Sequence, residues 1–182
     1  MKPIRILLAD DHAITREGTR RLLEAEPDLE VVGEAVDGEE ALRLVEESRP
    51  DIAVLDISMP NLNGVQVAEA IRRELQRIRI VILTGYDGEQ YARALVRLGV
   101  QGFLSKAASS HELVEALRTV HAGKTYFQPV VAEMLGNGVN SASEEMNPLL
   151  GRWRCCAWWR RGCATEISRG GSAPASAPYS ST

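Results

Sequence analysis

The sequence predicts an α/β fold built on a five-stranded, parallel, doubly wound sheet, and three observations carry that expectation. Short apolar runs rich in Val, Ile and Leu recur along the chain, continuous rather than alternating, as strands covered on both faces require. Segments of helical spacing separate them, and strict alternation of the two implies parallel strands with right-handed crossovers. Four of the runs also end on polar groups. Ile4 to Ala9 leads into Asp10 and Asp11, Ile52 to Leu55 into Asp56, Ile80 to Leu83 into Thr84, and Gly102 to Ser105 into Lys106.

Strands are expected near 4–9, 30–35, 51–56, 79–84 and 102–105, and helices near 13–25, 38–48, 64–75, 88–98 and 110–122. Ile14, Gly18 and Leu22 fall four apart, a helical spacing. Asp37-Gly38 turns into the second helix, and Met59-Pro60-Asn61 forms a turn before the third. In the last helix, Leu113, Leu117 and Val120 share a face, Ser109 or Ser110 offers the N-cap, and Gly123 the stop. Arg72, Arg73 and the arginines of the fourth helix read as solvated helical faces.

In a parallel sheet all carboxyl ends share one edge, where open α/β folds bind ligands. In the flavodoxin-like order 2-1-3-4-5, the winding reverses between strands one and three, which places the crevice beside Asp10, Asp11 and Asp56. A single acidic residue at a strand end is as readily a turn former or helix cap. Three carboxylates with Thr84 and Lys106 at matching ends instead suit a divalent cation and a phosphoryl group. His12 reads as a surface residue at a helix start, and His111 and His121 as solvated.

Residues 1–122 resemble the receiver domain of bacterial two-component response regulators. The features that carry the resemblance are Asp10-Asp11, Asp56-Ile57-Ser58-Met59-Pro60 followed by Gly64, Thr84-Gly85, and Gly102-Phe103-Leu104-Ser105-Lys106. The resemblance implies that Asp56 accepts phosphate from a sensor histidine kinase. It implies Mg²⁺ as cofactor, held by Asp10, Asp11, Asp56 and the Ser58 backbone carbonyl. It gives Thr84 and Lys106 the phosphoryl oxygens, and Thr84 with Phe103 the conformational switch. A second copy of the chain is an expected partner on phosphorylation. Ala107 stands where many relatives have proline, so no cis peptide is expected there. The chemistry suits these residue types, because phosphoryl transfer rests on positioning and charge stabilisation, and Mg²⁺ prefers hard oxygen ligands. An Asp-nucleophile phosphatase is disfavoured: such enzymes often place a general acid two residues after the nucleophile, where this chain has Ser58. No turnover is expected beyond self-phosphorylation and dephosphorylation.

No apolar run reaches the roughly 18 residues of a membrane span, and a cytoplasmic protein is expected. Cysteine is absent from residues 1–147, which fits a reducing compartment. Residues 123–147 read as a connector and polar linker, and Gly123 to Pro129 resembles the receiver-to-effector connector of NarL/FixJ-type regulators. The composition then changes. Every Trp (153, 158, 159) and every Cys (155, 156, 163) lies in residues 148–182, which carry +4 against −8 for the rest. A LuxR-type helix-turn-helix is expected there and is not written. Regrouping Ala157 to Gly162 by one base, with permissible GC-rich codons, gives Leu-Val-Ala-Glu-Gly, and the stretch can be continued into a LuxR-like pattern. A frame shift is therefore the expected origin of an irregular or disordered tail, with DNA a partner only if the frame is restored. Three cysteines without a nearby histidine do not match a closed zinc site. Two outputs stay open: a regulator of transcription whose DNA-binding part is lost, or a stand-alone receiver acting as interaction module or phosphate sink.

Overall fold

The computed structural model describes residues 2–85 and 91–129. The elements follow in the order β1 (Ile4–Ala9), α1 (Ala13–Glu24), β2 (Leu29–Ala35), α2 (Gly38–Ser48), β3 (Ile52–Leu55), α3 (Gly64–Glu74), β4 (Arg79–Thr84), α4 (Ala92–Arg97), β5 (Gly102–Ser105), α5 (Ser110–His121) and β6 (Tyr126–Phe127). All strand pairs are parallel, in the order β2-β1-β3-β4-β5-β6. The doubly wound sheet is as the sequence predicts, with one strand more. The sixth comes from the connector: Gly102 pairs with Tyr126 and Phe103 with Phe127.

Side chains alternate between the two faces of each strand. Leu7, Ala9, Ala53, Leu55, Ile80, Ile82 and Phe103 pack against apolar residues of α2, α3 and α4. Ile6, Leu8, Ile52, Val54, Val81, Leu83 and Leu104 pack against α1 and α5. Local chemistry sets the helix ends. Asp37 caps α2 by accepting the Glu40 amide, Asn63 forms a reciprocal capping box with Gln66, and Ser109 caps α5 by accepting the Glu112 amide. Gly123, at φ +83°, ends the last helix in the left-handed region.

The helical spacing of α1 does not by itself mark its buried stripe: Ile14 is 89% exposed and Gly18 is exposed, and of the three residues spaced four apart only Leu22 packs against the core. The buried side is set by Thr19 and Leu23 instead, with Leu22 half-buried. One expectation fails: Arg72 is half-buried rather than part of a solvated helical face. Its guanidinium reaches off α3 to the carbonyls of Ile78 and Gly99 and to Gln101 Oε1, because a long stem lets a charged head find acceptors beside the core. The fourth helix is described only over Ala92–Arg97. Its expected start before residue 91, the linker beyond residue 129 and the 148–182 tail lie outside the described residues.

Candidate functional site

The carboxyl edge of the sheet gathers the polar residues that the apolar runs deliver. Among the described residues, the buried polar or charged ones are Asp10, Thr19, Asp56 and Thr84, and three of these four end β1, β3 and β4. Backbone bonds carry the ladder past the strands: the Asp56 amide donates to the Ala9 carbonyl at 2.8 Å, and the Asp10 amide to the Ala35 carbonyl at 3.1 Å. The two carboxylates are therefore held side by side by the sheet itself.

A Cβ at position 64 would collide with the Asp56 carbonyl, so glycine is what lets α3 start against the backbone of Asp56. The Gly64 amide donates to the Ile57 carbonyl at 3.0 Å, closing the turn that contains Ser58. Ser58 is exposed in that turn, three residues beyond the end of β3.

Lys106 joins the two buried carboxylates. Its Nζ lies 2.8 Å from Asp10 Oδ2 and 2.8 Å from Asp56 Oδ2. Two buried like charges are costly unless a cation compensates them, and this ammonium does so. Burial alone would lower the Lys106 pKa, but hydrogen bonds and charge from Asp10 and Asp56 outweigh it and raise it. The ammonium stays charged throughout the physiological range. Its main-chain amide donates to the Thr84 carbonyl at 2.7 Å, so the loop after β5 is tied to the end of β4. Thr84 is 2% exposed, and Phe103 is likewise buried, in the core between the sheet and α4.

Asp11 is the solvent-facing member. Carboxylate oxygens of Asp10, Asp11 and Asp56 and a ring nitrogen of His12 all lie within 4.8 Å of one another. His12 Nδ1 is 2.7 Å from Asp11 Oδ1, and the His12 amide donates to Asp10 Oδ1 at 2.8 Å. His12 is exposed, as its place at a helix start suggests, yet it touches the acidic pair. Arg16 is a site neighbour that the sequence did not single out. From the first turns of α1 it donates to the Asp10 carbonyl at 2.7 Å and pairs with Glu34. Only the four-residue distance from His12 hinted at it, because a helix beginning at residue 13 must bring Arg16 back over the strand end.

The set has a defined chemical capacity. Three carboxylates offer hard oxygens to a divalent cation such as Mg²⁺. A buried carboxylate beside an ammonium can serve as an oxygen nucleophile toward phosphorus, with the ammonium ready for phosphoryl oxygens.

Comparison with known proteins agrees with this arrangement. Residues 6–118 match the family model for the response regulator receiver domain. The chain is 36% identical over 132 residues to the transcriptional regulatory protein DegU of Brevibacillus brevis, a match covering 72% of this chain and 56% of that protein. It is 37% identical over 146 residues to the oxygen regulatory protein NreC of Staphylococcus carnosus, covering 79% and 67%. Among solved structures, a LuxR-family two-component response regulator from Aurantimonas sp. SI85-9A1 superposes with a TM-score of 0.70 at 38% identity, covering 75% of this chain and 97% of that one. The match to DegU thus spans little more than half of that relative's length.

Proposed function

This chain belongs to the response regulator receiver family, and from that premise we propose that Asp56 is its phosphoacceptor, loaded by a sensor histidine kinase in a Mg²⁺-dependent transfer. The observation that carries the proposal is the buried Asp56 carboxylate held 2.8 Å from Lys106 at the winding reversal between β1 and β3. Asp10, Asp11, Asp56 and the Ser58 carbonyl would hold the cation, and their all-oxygen chemistry fits Mg²⁺. When bound, Mg²⁺ would offset the charge of the nucleophile and of the incoming phosphoryl group together. No helix among the described residues is long and apolar enough to cross a membrane, and a cytoplasmic location is part of the proposal.

In this mechanism an Asp56 carboxylate oxygen attacks phosphorus as the bond from phosphorus to the donor's imidazole nitrogen breaks. The electron pair of that bond leaves with the imidazole. Lys106 needs only a short movement, from the Asp56 oxygen to a phosphoryl oxygen on the same side chain. The Thr84 hydroxyl serves as a second donor, and Thr84 with the neighbouring Phe103 forms the element whose rearrangement reports the event. A second copy of the chain is the partner the phosphorylated form would recruit.

Transcriptional control is the parent output, inferred from relatives such as DegU, and the compositional change after Leu149 supports its loss in this chain. That same change favours a second reading, a stand-alone receiver acting as interaction module or phosphate sink. The base sequence across codons 146–182 separates the two. Phosphoacceptance is tested by mass spectrometry after incubation with acetyl phosphate. Label is expected on Asp56 only with divalent metal, and its persistence in Asp56→Asn would overturn the assignment.

A further inference from the structure

The connector does more than lead away from the sheet. Strand β6 is only Tyr126–Phe127, and its pairing with β5 stops at Phe103. Two residues further on, the outward amide of Ser105 would face an open sheet edge. Gln128 takes the place of the missing strand: its Oε1 accepts the Ser105 amide at 2.7 Å, and its own amide donates to the Phe103 carbonyl at 3.3 Å. Its Nε2 donates to Glu112 Oε1 on α5 at 2.9 Å. One side-chain amide thus uses donor and acceptor together, fastening β5 to α5.

Ser105 directly precedes Lys106. The Ser105 Oγ accepts the Ala107 amide at 3.1 Å, and its carbonyl accepts the Ala108 amide at 2.9 Å. The turn that presents the lysine is therefore folded upon Ser105, and Ser105 is held from outside by Gln128. We propose that Gln128 is a positioning residue for Lys106, so that the connector strand is part of the phosphoacceptor machinery. The inference rests on the receiver reading above and goes beyond it by placing a residue outside the expected receiver boundary in control of the site. By linkage, any coupling between connector docking and the phosphorylated state must act in both directions.

The test uses the full chain and acetyl phosphate as donor, measuring the rate of Asp56 labelling. Gln128→Ala is expected to slow labelling about tenfold, equal to about 1.4 kcal/mol of transition-state stabilisation. The same change made in a Lys106→Ala background is expected to add nothing, because Gln128 acts through the lysine. Combining Gln128→Glu with Glu112→Gln exchanges donor and acceptor, keeps the acceptor for Ser105, and is expected to restore the rate. A wild-type rate in Gln128→Ala, an equal slowing with and without Lys106, or no recovery in the exchanged pair would each overturn the inference while leaving Asp56 as phosphoacceptor. Absence of label on wild-type Asp56 would overturn both.

Discussion

The two edges of the sheet each hold a part-buried cation, and they use it in opposite ways. At the carboxyl edge, Lys106 bridges two buried carboxylates, each at 2.8 Å. At the other edge, Arg72 fastens the end of α3 to the Ile78 and Gly99 carbonyls and to the Gln101 side chain, whose Oε1 also accepts the Ile80 amide at 2.9 Å. The Arg72 partners are neutral and belong to the backbone or to one amide, so its charge has nothing to exchange with. Lys106 has two anions competing for one ammonium, and an incoming cation or phosphoryl group can redistribute those contacts. A fork of five donors suits a fixed clamp, and a point charge on a flexible stem suits a movable one.

Substitution should separate the two roles. The largest effect is expected for Lys106→Ala, which should cut phosphorylation-driven change severely while divalent-metal affinity, measured by titration, is kept or rises. Lost metal affinity with normal phosphorylation-driven change would make the lysine a metal-site support and erase the contrast. Arg72→Ala should do the reverse, lowering the unfolding free energy by about 2–3 kcal/mol through lost charge-assisted hydrogen bonds, with labelling of Asp56 unchanged. Denaturant midpoints with paired labelling rates would show it. Gly64→Ala tests whether the site edge is also a packing constraint. The added methyl meets the Asp56 carbonyl, so a loss of about 1–3 kcal/mol is expected together with slower labelling.

The smallest effect concerns pH. The hydrogen bond from Arg118 holds the Asp28 carboxyl below the usual carboxylate range. A lowered folded-state pKa means that this contribution to stability is present above the ordinary carboxylate pKa. It is lost as pH falls through the lowered value. Melting temperatures of wild type and Arg118→Ala should therefore differ slightly near neutrality and converge in acid. A constant difference down to pH 2 would show that Arg118 acts through packing alone.

Much of the site edge was legible because its signal is local. A run as short as Ile52 to Leu55, set between segments of helical spacing, suits a covered strand better than a helix, and the residue after it, Asp56, then emerges at the sheet edge. The helix starts were equally local: the Asp37-Gly38 turn announced α2, where Asp37 is the cap, and Ser109, one of two candidate caps, announced α5. The misses have a common cause, dependence on what lies opposite. Spacing shows that Ile14, Gly18 and Leu22 share a face, but only the packing shows that Ile14 looks outward while Leu22 touches the core. Arg72 meets acceptors supplied by the turn before β4 and the loop before β5, roughly six to thirty positions away in sequence, which no helical pattern encodes. A strand of two residues, Tyr126 and Phe127, is too short to show any period, and Gln128 acts through a single side chain.

The sixth strand has a consequence for solubility. Unpaired strand edges invite other extended chains to dock, and proteins blunt them with charge, bulges or cover. The β2 edge of this sheet carries exposed Glu30 and Glu34 and a register shift opposite Ile6 and Leu7. The β5 edge has no acidic or basic residue within Gly102–Ser105, so charge cannot guard it. Tyr126, Phe127 and the amide of Gln128 cover that row of backbone groups instead. A chain cut before Tyr126 would bare a short apolar edge and should associate edge to edge on storage.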